Sequence, residues 1–91
     1  MKSDASKLIT RHSQLTHSEM MKVSSHVQRR DGDWIINTLM IEGYDVAFKF
    51  RRKKSYRDLK GARVNLTYYP AQQFVAGIEI EIMKVVRIKL S

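Results

Sequence analysis

The strongest chemical signal in this sequence is a cluster of cations between Lys49 and Lys60. The segment holds seven of the 17 lysines and arginines and a single acid, Asp58, so it accounts for +6 of the formal net charge of +8. Charge concentrated in this way creates a local field that attracts an anionic partner. A solvated edge strand, whose lysines discourage pairing with other strands, is the alternative interpretation. The sequence alone leaves both open.

Nucleic acid is the anion that this composition favours. Lysine and arginine neutralise phosphates and release counterions, and an aromatic ring among them can stack on an exposed base. The predicted binding site consists of Lys49, Arg51, Arg52, Lys53, Lys54, Tyr56, Arg57 and Lys60. Tyr69 is a second candidate for stacking. Arg63, Arg87 and Lys89 would extend the basic surface if their strands neighbour the segment.

Three histidines are candidates for metal or acid–base chemistry: His12, His17 and His26. Their spacings of five and nine residues do not suit a metal-binding pair on a helix. Glu79 and Glu81 would lie ~6.5–7 Å apart on one face of a strand, a separation compatible with paired catalytic carboxylates. Exposed acids facing a cross-strand cation such as Arg63 or Lys49 are the simpler interpretation. We therefore predict no enzyme, no metal and no cofactor.

Length and composition restrict the class of protein further. A chain of 91 residues with 43% hydrophobic residues forms one domain with a small core. The lack of cysteine excludes disulfides and thiolate nucleophiles and fits a reducing compartment. We expect no signal peptide and no membrane span, hence a cytoplasmic protein that does not bind a membrane.

The elements that must position the cations begin with a predicted helix. Thr16 and Glu19 have the spacing of a capping box, and Met20, Val23 and Val27 recur at helical intervals. A helix over residues 17–30 follows, with Gly32 as its left-handed terminus. Residues 1–14 are predicted to be poorly ordered or briefly helical, ahead of a single domain that spans residues 15–91.

Beyond Asp33 the hydrophobic period changes to two, which predicts strands. The alternating segments are 34–42, 44–51, 62–69 and 78–90. The first has apolar residues on both faces, so we expect the helix to cover its outer face. Pro70 should end the third strand, and a bulge should divide the last near Met83 and Lys84. Tight turns are expected at Gly43-Tyr44 and at Gln72-Gln73. The residues predicted to be buried are Phe48, Val64, Leu66, Ile80 and Ile82.

The predicted fold class is α+β: an N-terminal helix packed on a strongly curved antiparallel sheet of four to five strands, forming a small, partly closed β-barrel. This order resembles Sm-like, SH3-like and OB-type barrels in architecture only, since no motif of those families is present. The predicted function is a basic, non-enzymatic nucleic-acid-binding protein that prefers RNA or single strands.

A protein-interaction or assembly module is the alternative function. Its basic surface would meet an acidic partner, or its doubly apolar first strand would be buried in a homodimer. Exposed aromatic residues distinguish the two functions. Tyr56 and Tyr69 beside the cations would favour nucleic acid, whereas exposure of Trp34, Ile36 and Met40 would favour interaction with a protein.

Overall fold

Five β-strands make up the fold over the residues that the computed structural model describes, 15–55 and 57–91. They are β1 (Thr16–Asp31), β2 (Trp34–Ile41), β3 (Phe48–Arg52), β4 (Arg63–Val75) and β5 (Ile78–Leu90). They close into a barrel in the order β1-β2-β3-β5-β4, with β4 pairing back onto β1. The predictions made for residues 1–14 and for Tyr56 lie outside the described residues. No helix in the described part of the chain is long and apolar enough to cross a membrane.

The segment predicted to be a helix, 17–30, is instead part of strand β1, so the prediction of a helix there is wrong, whereas the predicted small β-barrel is present. The serines and valines of this segment have low helix propensity, whereas valine suits a pleated sheet. Thr16 pairs with Tyr68 of the neighbouring strand β4. The Ser18 Oγ lies 2.9 Å from the Tyr68 hydroxyl. Tertiary pairing of this kind outweighs a local capping signal.

Strand β1 is long enough to bend and to serve two neighbours. Its first part pairs with β4 and its second part with β2, and both ladders contain a register shift. Met20, between the shifted positions Ser18 and Met21, has a positive φ of 58°. Such bulges increase local twist and let one strand turn the corner of a small barrel.

The β4–β5 hairpin is longer than predicted, because Pro70 does not end β4. Pro70 lies opposite Met83, and Met83 donates its N–H to Ala47 on the side away from β4 (2.8 Å). The missing N–H of Pro70 therefore points away from β5, and no bond of the β4–β5 ladder is lost. The predicted turn at Gln72-Gln73 is also wrong. The chain turns at Ala76 and Gly77, both at positive φ.

The predicted irregularity in the last strand is present, three residues later than Met83. Thr67 pairs with Arg87 and Tyr68 with Val85, which leaves Val86 as the extra residue of a bulge. The bulge changes which residues of β5 face inward. Val85 before it is buried, and Ile88 after it packs against the core. Ile80, predicted to be buried, lies nearer the start of β5 and is 43% exposed.

The core fills the barrel with residues from all five strands. The most deeply buried large side chains are Phe48, Leu39, Leu59, Leu66, Val23 and Val64. The predicted burial of Phe48, Val64, Leu66 and Ile82 is confirmed. The Tyr68 ring packs edge-on against Phe48 at 4.9 Å, and burial raises the pKa of its hydroxyl above the usual value.

The β3–β4 connection is anchored from inside by the buried side chain of His26. Its Nδ1 accepts a hydrogen bond from the Leu59 N–H (2.9 Å), so its Nε2 carries the proton and donates to the Asn37 Oδ1 (2.9 Å). Asn37 is fully buried and donates through its Nδ2 to the Ile35 carbonyl (3.2 Å). This chain of bonds holds the apolar side chain of Leu59 in the core.

The shortest ladder in the barrel joins β3 to β5. These strands are parallel and pair only at Phe48–Met83 and Lys49–Lys84. The sequence predicted an antiparallel sheet throughout, so this parallel pair is a correction. Beyond the second pair the two strands separate, which leaves a gap in the barrel wall. We call it the β3–β5 gap.

Candidate functional site

A cleft of about 540 Å³ lies between the outer face of strands β2 and β3 and the projecting part of the β4–β5 hairpin. We call that projecting part, residues 70–82, the arm. The residues that line the cleft include Trp34, Ile36, Lys49, Arg51, Gln73, Ile82 and Lys84. One wall is therefore aromatic and basic, and the other is largely uncharged.

Alternation along β3 places its cations in the cleft. Phe48 and Phe50 are buried, so Lys49 and Arg51 occupy the opposite face, as the sequence predicted. Arg51 pairs with Ile36 of β2, and Lys49 pairs with Thr38. The hydrophobic core thus sets the direction of the basic side chains. A shift of register by one residue would bury them.

Trp34 is the aromatic centre of the cleft. Its ring lies 5.7 Å from the Arg51 Cζ and 5.4 Å from the Lys53 Nζ, both within the range of cation–π contacts. The side chain is 39% exposed. A ring that is open to solvent and lies close to two cations can stack on a planar ligand while the cations bind its negative charge.

Two further lysine contacts define the electrostatics of the cleft. The Lys49 Nζ donates to the Gln73 Oε1 at 2.8 Å, which ties the arm to β3. Lys49 and Lys84 are partners across the short parallel ladder, so two like charges lie side by side. An anion between them would relieve their repulsion. Over residues 15–55 and 57–91, neither Lys49 nor Lys84 lies within salt-bridge distance of a carboxylate.

The predicted site residues are only partly brought together. Lys49 and Arg51 line the cleft and Lys53 contacts its tryptophan. Arg52 is half-buried and lines the β3–β5 gap rather than the cleft. Lys54, Arg57 and Lys60 are exposed in the connection that follows β3. Tyr56 lies outside the described residues.

Sequence reasoning missed Trp34, Gln73 and Lys84 as site residues. The sequence assigned Trp34 to a covered strand face, because the predicted helix was expected to pack there. Because that segment forms a strand instead, Trp34 is exposed, while Ile36 and Met40 are half-buried. The usable signal was the position of Trp34 at the start of a strand, beside the Gly32 turn. Tyr69, the other predicted stacking residue, is half-buried in β4.

Other candidate chemical groups do not form a site. Glu79 and Glu81 are exposed on the arm and lie opposite Phe74 and Gln72, not opposite the cations predicted as their partners. Over the described ranges, no group of three or more histidine, cysteine or acidic residues could hold a metal ion. Comparison of the chain with protein-family models, with curated proteins and with solved structures finds no match.

Proposed function

We propose that this protein binds single-stranded nucleic acid, RNA in preference to DNA, in the cleft between β2, β3 and the arm. The observation that carries the proposal is the exposed ring of Trp34 with Arg51 and Lys53 close to it. Exposure of the ring alone would suit a protein partner, and the two cations beside it are what favour a polyanion. A base can stack on the ring, and the two cations can neutralise the adjoining phosphates. Lys49 and Lys84 supply further positive charge on the floor of the cleft.

The strand order supports the proposal independently. A five-stranded barrel in the order β1-β2-β3-β5-β4 has the arrangement of OB-type barrels, in which strands 2 and 3 and the two hairpin loops beside them bind oligonucleotides or oligosaccharides. Architecture alone does not assign a function. In this chain, however, the corresponding surface carries cations as well as an aromatic ring, which favours a polyanion over a neutral sugar.

Fluorescence of Trp34 provides a direct test, because it is the only tryptophan in the chain. We expect oligouridylate to quench its emission, and duplex DNA to quench it less at the same phosphate concentration. Replacing Trp34 by Ala should weaken binding of oligouridylate about 5- to 150-fold, the loss expected for one base stacked on an aromatic ring. Affinities of the variants are measured by anisotropy of a labelled oligonucleotide.

The matched control is Phe74→Ala, which removes an aromatic ring that is 72% exposed and pairs with Glu79 on the arm. We expect its affinity to equal that of the wild type. Equal affinities of Trp34→Ala and the wild type, with both folded, would contradict the proposal. Tight binding of heparin without any preference for single strands would show a surface that attracts polyanions in general.

An assembly module is a second candidate function, favoured by exposed apolar residues of the arm. Phe74 is 72% exposed and Ile78 is 65% exposed, whereas globular proteins seldom leave such residues together in solvent. The arm carries only the acids Glu79 and Glu81, so the basic cleft of a second copy is its complement in charge. Sedimentation equilibrium of the wild type and of Phe74→Ser distinguishes this function: a dimer that Phe74→Ser dissociates would support it.

A further inference from the structure

We propose that the bound single strand continues beyond the cleft, across the β3–β5 gap and onto the outer face of β4 and β5, where Arg87 and Lys89 bind its phosphates. This proposal rests on the proposed function and extends its site around the barrel. It assigns a binding role to a surface that the sequence treated only as a conditional extension of the basic segment.

The first observation is that the gap is a cavity of about 390 Å³ with cations on both sides. Arg51 and Arg52 line it from β3, and Arg87 lines it from β5. The gap exists because the parallel ladder ends after Lys49–Lys84 and the Val86 bulge follows directly in β5. The same irregularity therefore opens the barrel wall and brings arginines to the opening.

The second observation is that neighbouring cavities share residues, so the surface is continuous. Phe50, Arg51 and Val85 line both the cleft and the gap. Arg87 lines both the gap and a third cavity of about 280 Å³ that also contains Lys89. A nucleic-acid strand that leaves Trp34 thus meets a cation in each cavity on its way to Lys89.

The third observation concerns the neighbours of these cations. Arg87 lies opposite Thr67 and Lys89 opposite Asn65 in the β4–β5 ladder, so hydroxyl and amide groups, not carboxylates, are their cross-strand partners. His17 and Glu19 also line the third cavity. The Glu19 carboxylate repels phosphate and sets the far end of the track, just as Trp34 sets its beginning.

The test compares two lengths of oligouridylate, because only the longer one reaches the extension. Barrels of this size contact about 4–16 nucleotides, so we use about 4 and about 12. For Arg87→Gln, the slope of log affinity against log salt should become shallower by about 0.7 with the longer oligonucleotide, the value for one phosphate contact on a single strand. The shorter oligonucleotide should show no change.

Two matched variants complete the experiment. Lys22→Gln removes one charge from a lysine paired with Glu42, in neither the cleft, the gap nor the third cavity, and should change neither slope. Glu19→Gln should strengthen binding of the longer oligonucleotide only. Thermal denaturation checks that all variants are folded.

The outcomes separate this proposal from the proposed function. Binding of the short oligonucleotide together with equal long-oligonucleotide slopes for Arg87→Gln and the wild type would overturn the extension and leave the cleft in place. Failure of the wild type to bind either length would overturn the proposed function and the extension with it.

Discussion

The buried pair of His26 and Asn37 shows how a single polar contact holds the connection after β3. Asn37 accepts from the His26 Nε2, and the other ring nitrogen accepts from the backbone of Leu59. Each group satisfies a donor that would otherwise be buried without a partner, which costs about 1–3 kcal/mol per group. The period-two pattern places Asn37 on the same face as Ile35 and Leu39 but gives no sign of the histidine that satisfies its side chain there.

Replacing Asn37 by Leu should lower the free energy of unfolding by about 1–3 kcal/mol, because the His26 Nε2–H loses its acceptor. In a double-mutant cycle, the double variant with Asn37→Leu and His26→Phe should lose less free energy of unfolding than the sum of the two single losses, by at least ~0.5 kcal/mol. Urea denaturation measures each value. Thr38→Val, on the outer face of the same strand, should stay within ~0.5 kcal/mol of the wild type. Strict additivity would show that the two side chains do not interact.

Predictions made for single residues succeeded where alternation was strict and failed where a strand extends beyond its neighbour. The inward positions Phe48 and Phe50 follow from the alternation of β3, and this fixed the direction of Lys49 and Arg51. Ile80 was predicted to be buried because it continues an apolar row in the sequence. It projects on the arm, beyond the part of β5 that pairs with β3, and no pattern of residue types reveals where a neighbouring strand ends.

At the scale of elements, β1 is where local and tertiary signals disagree. Thr16 and Glu19 fit a capping box, but a box stabilises a helix by only about 1 kcal/mol. As a strand, the segment gains backbone pairing with both β2 and β4 and buries Met21 and Val23. The apolar residues Met20, Val23 and Val27 match a helical period, yet Met20 and Val27 are each 58% exposed. The sequence could not reveal the two bulges that make this strand possible.

The turn of the β4–β5 hairpin is strained at Ala76, where φ is 51°. Asparagine tolerates this region better than alanine, and Asn-Gly is the preferred pair for a two-residue turn with both φ values positive. Ala76→Asn should therefore raise the free energy of unfolding by about 0.5–1 kcal/mol. Gly77→Ala should lower it, because Gly77 has a φ of 80°. Urea midpoints check both changes, and a stabilising Gly77→Ala would contradict this description of the turn.

At the scale of the whole molecule, the excess positive charge is distributed over two regions, not one segment. The sequence placed it between Lys49 and Lys60. Closure of the barrel adds Lys84 to the cleft. Lys54, Arg57 and Lys60 lie outside the cleft, exposed in the connection between β3 and β4. Strand order depends on pairings about 50 residues apart, such as Thr16 with Tyr68. Local sequence patterns carry no information about such pairings, so four of the five strands were predictable, whereas β1 and the neighbours of each strand were not.

Salt dependence of binding distinguishes these two charge distributions. If the wild type contacts about 4–5 phosphates, the slope of log affinity against log salt should be about −3. Replacing Arg51, Lys53 and Lys84 by Gln should make it shallower by about 2. Replacing Lys54, Arg57 and Lys60 removes the same charge and should have a smaller effect. A larger effect of the second triple variant would favour the site that the sequence predicted.

The two-pair ladder between β3 and β5 also affects local opening of the barrel. Every other junction in the barrel is held by a longer antiparallel ladder, so local opening should begin where β3 meets β5. A single-stranded nucleic acid that contacts Arg51 on one side of this junction and Arg87 on the other would hold the two strands together. Binding of nucleic acid would therefore favour the closed barrel. In its presence, the backbone amides of Phe48–Arg52 and of residues 83–87 would exchange with solvent more slowly.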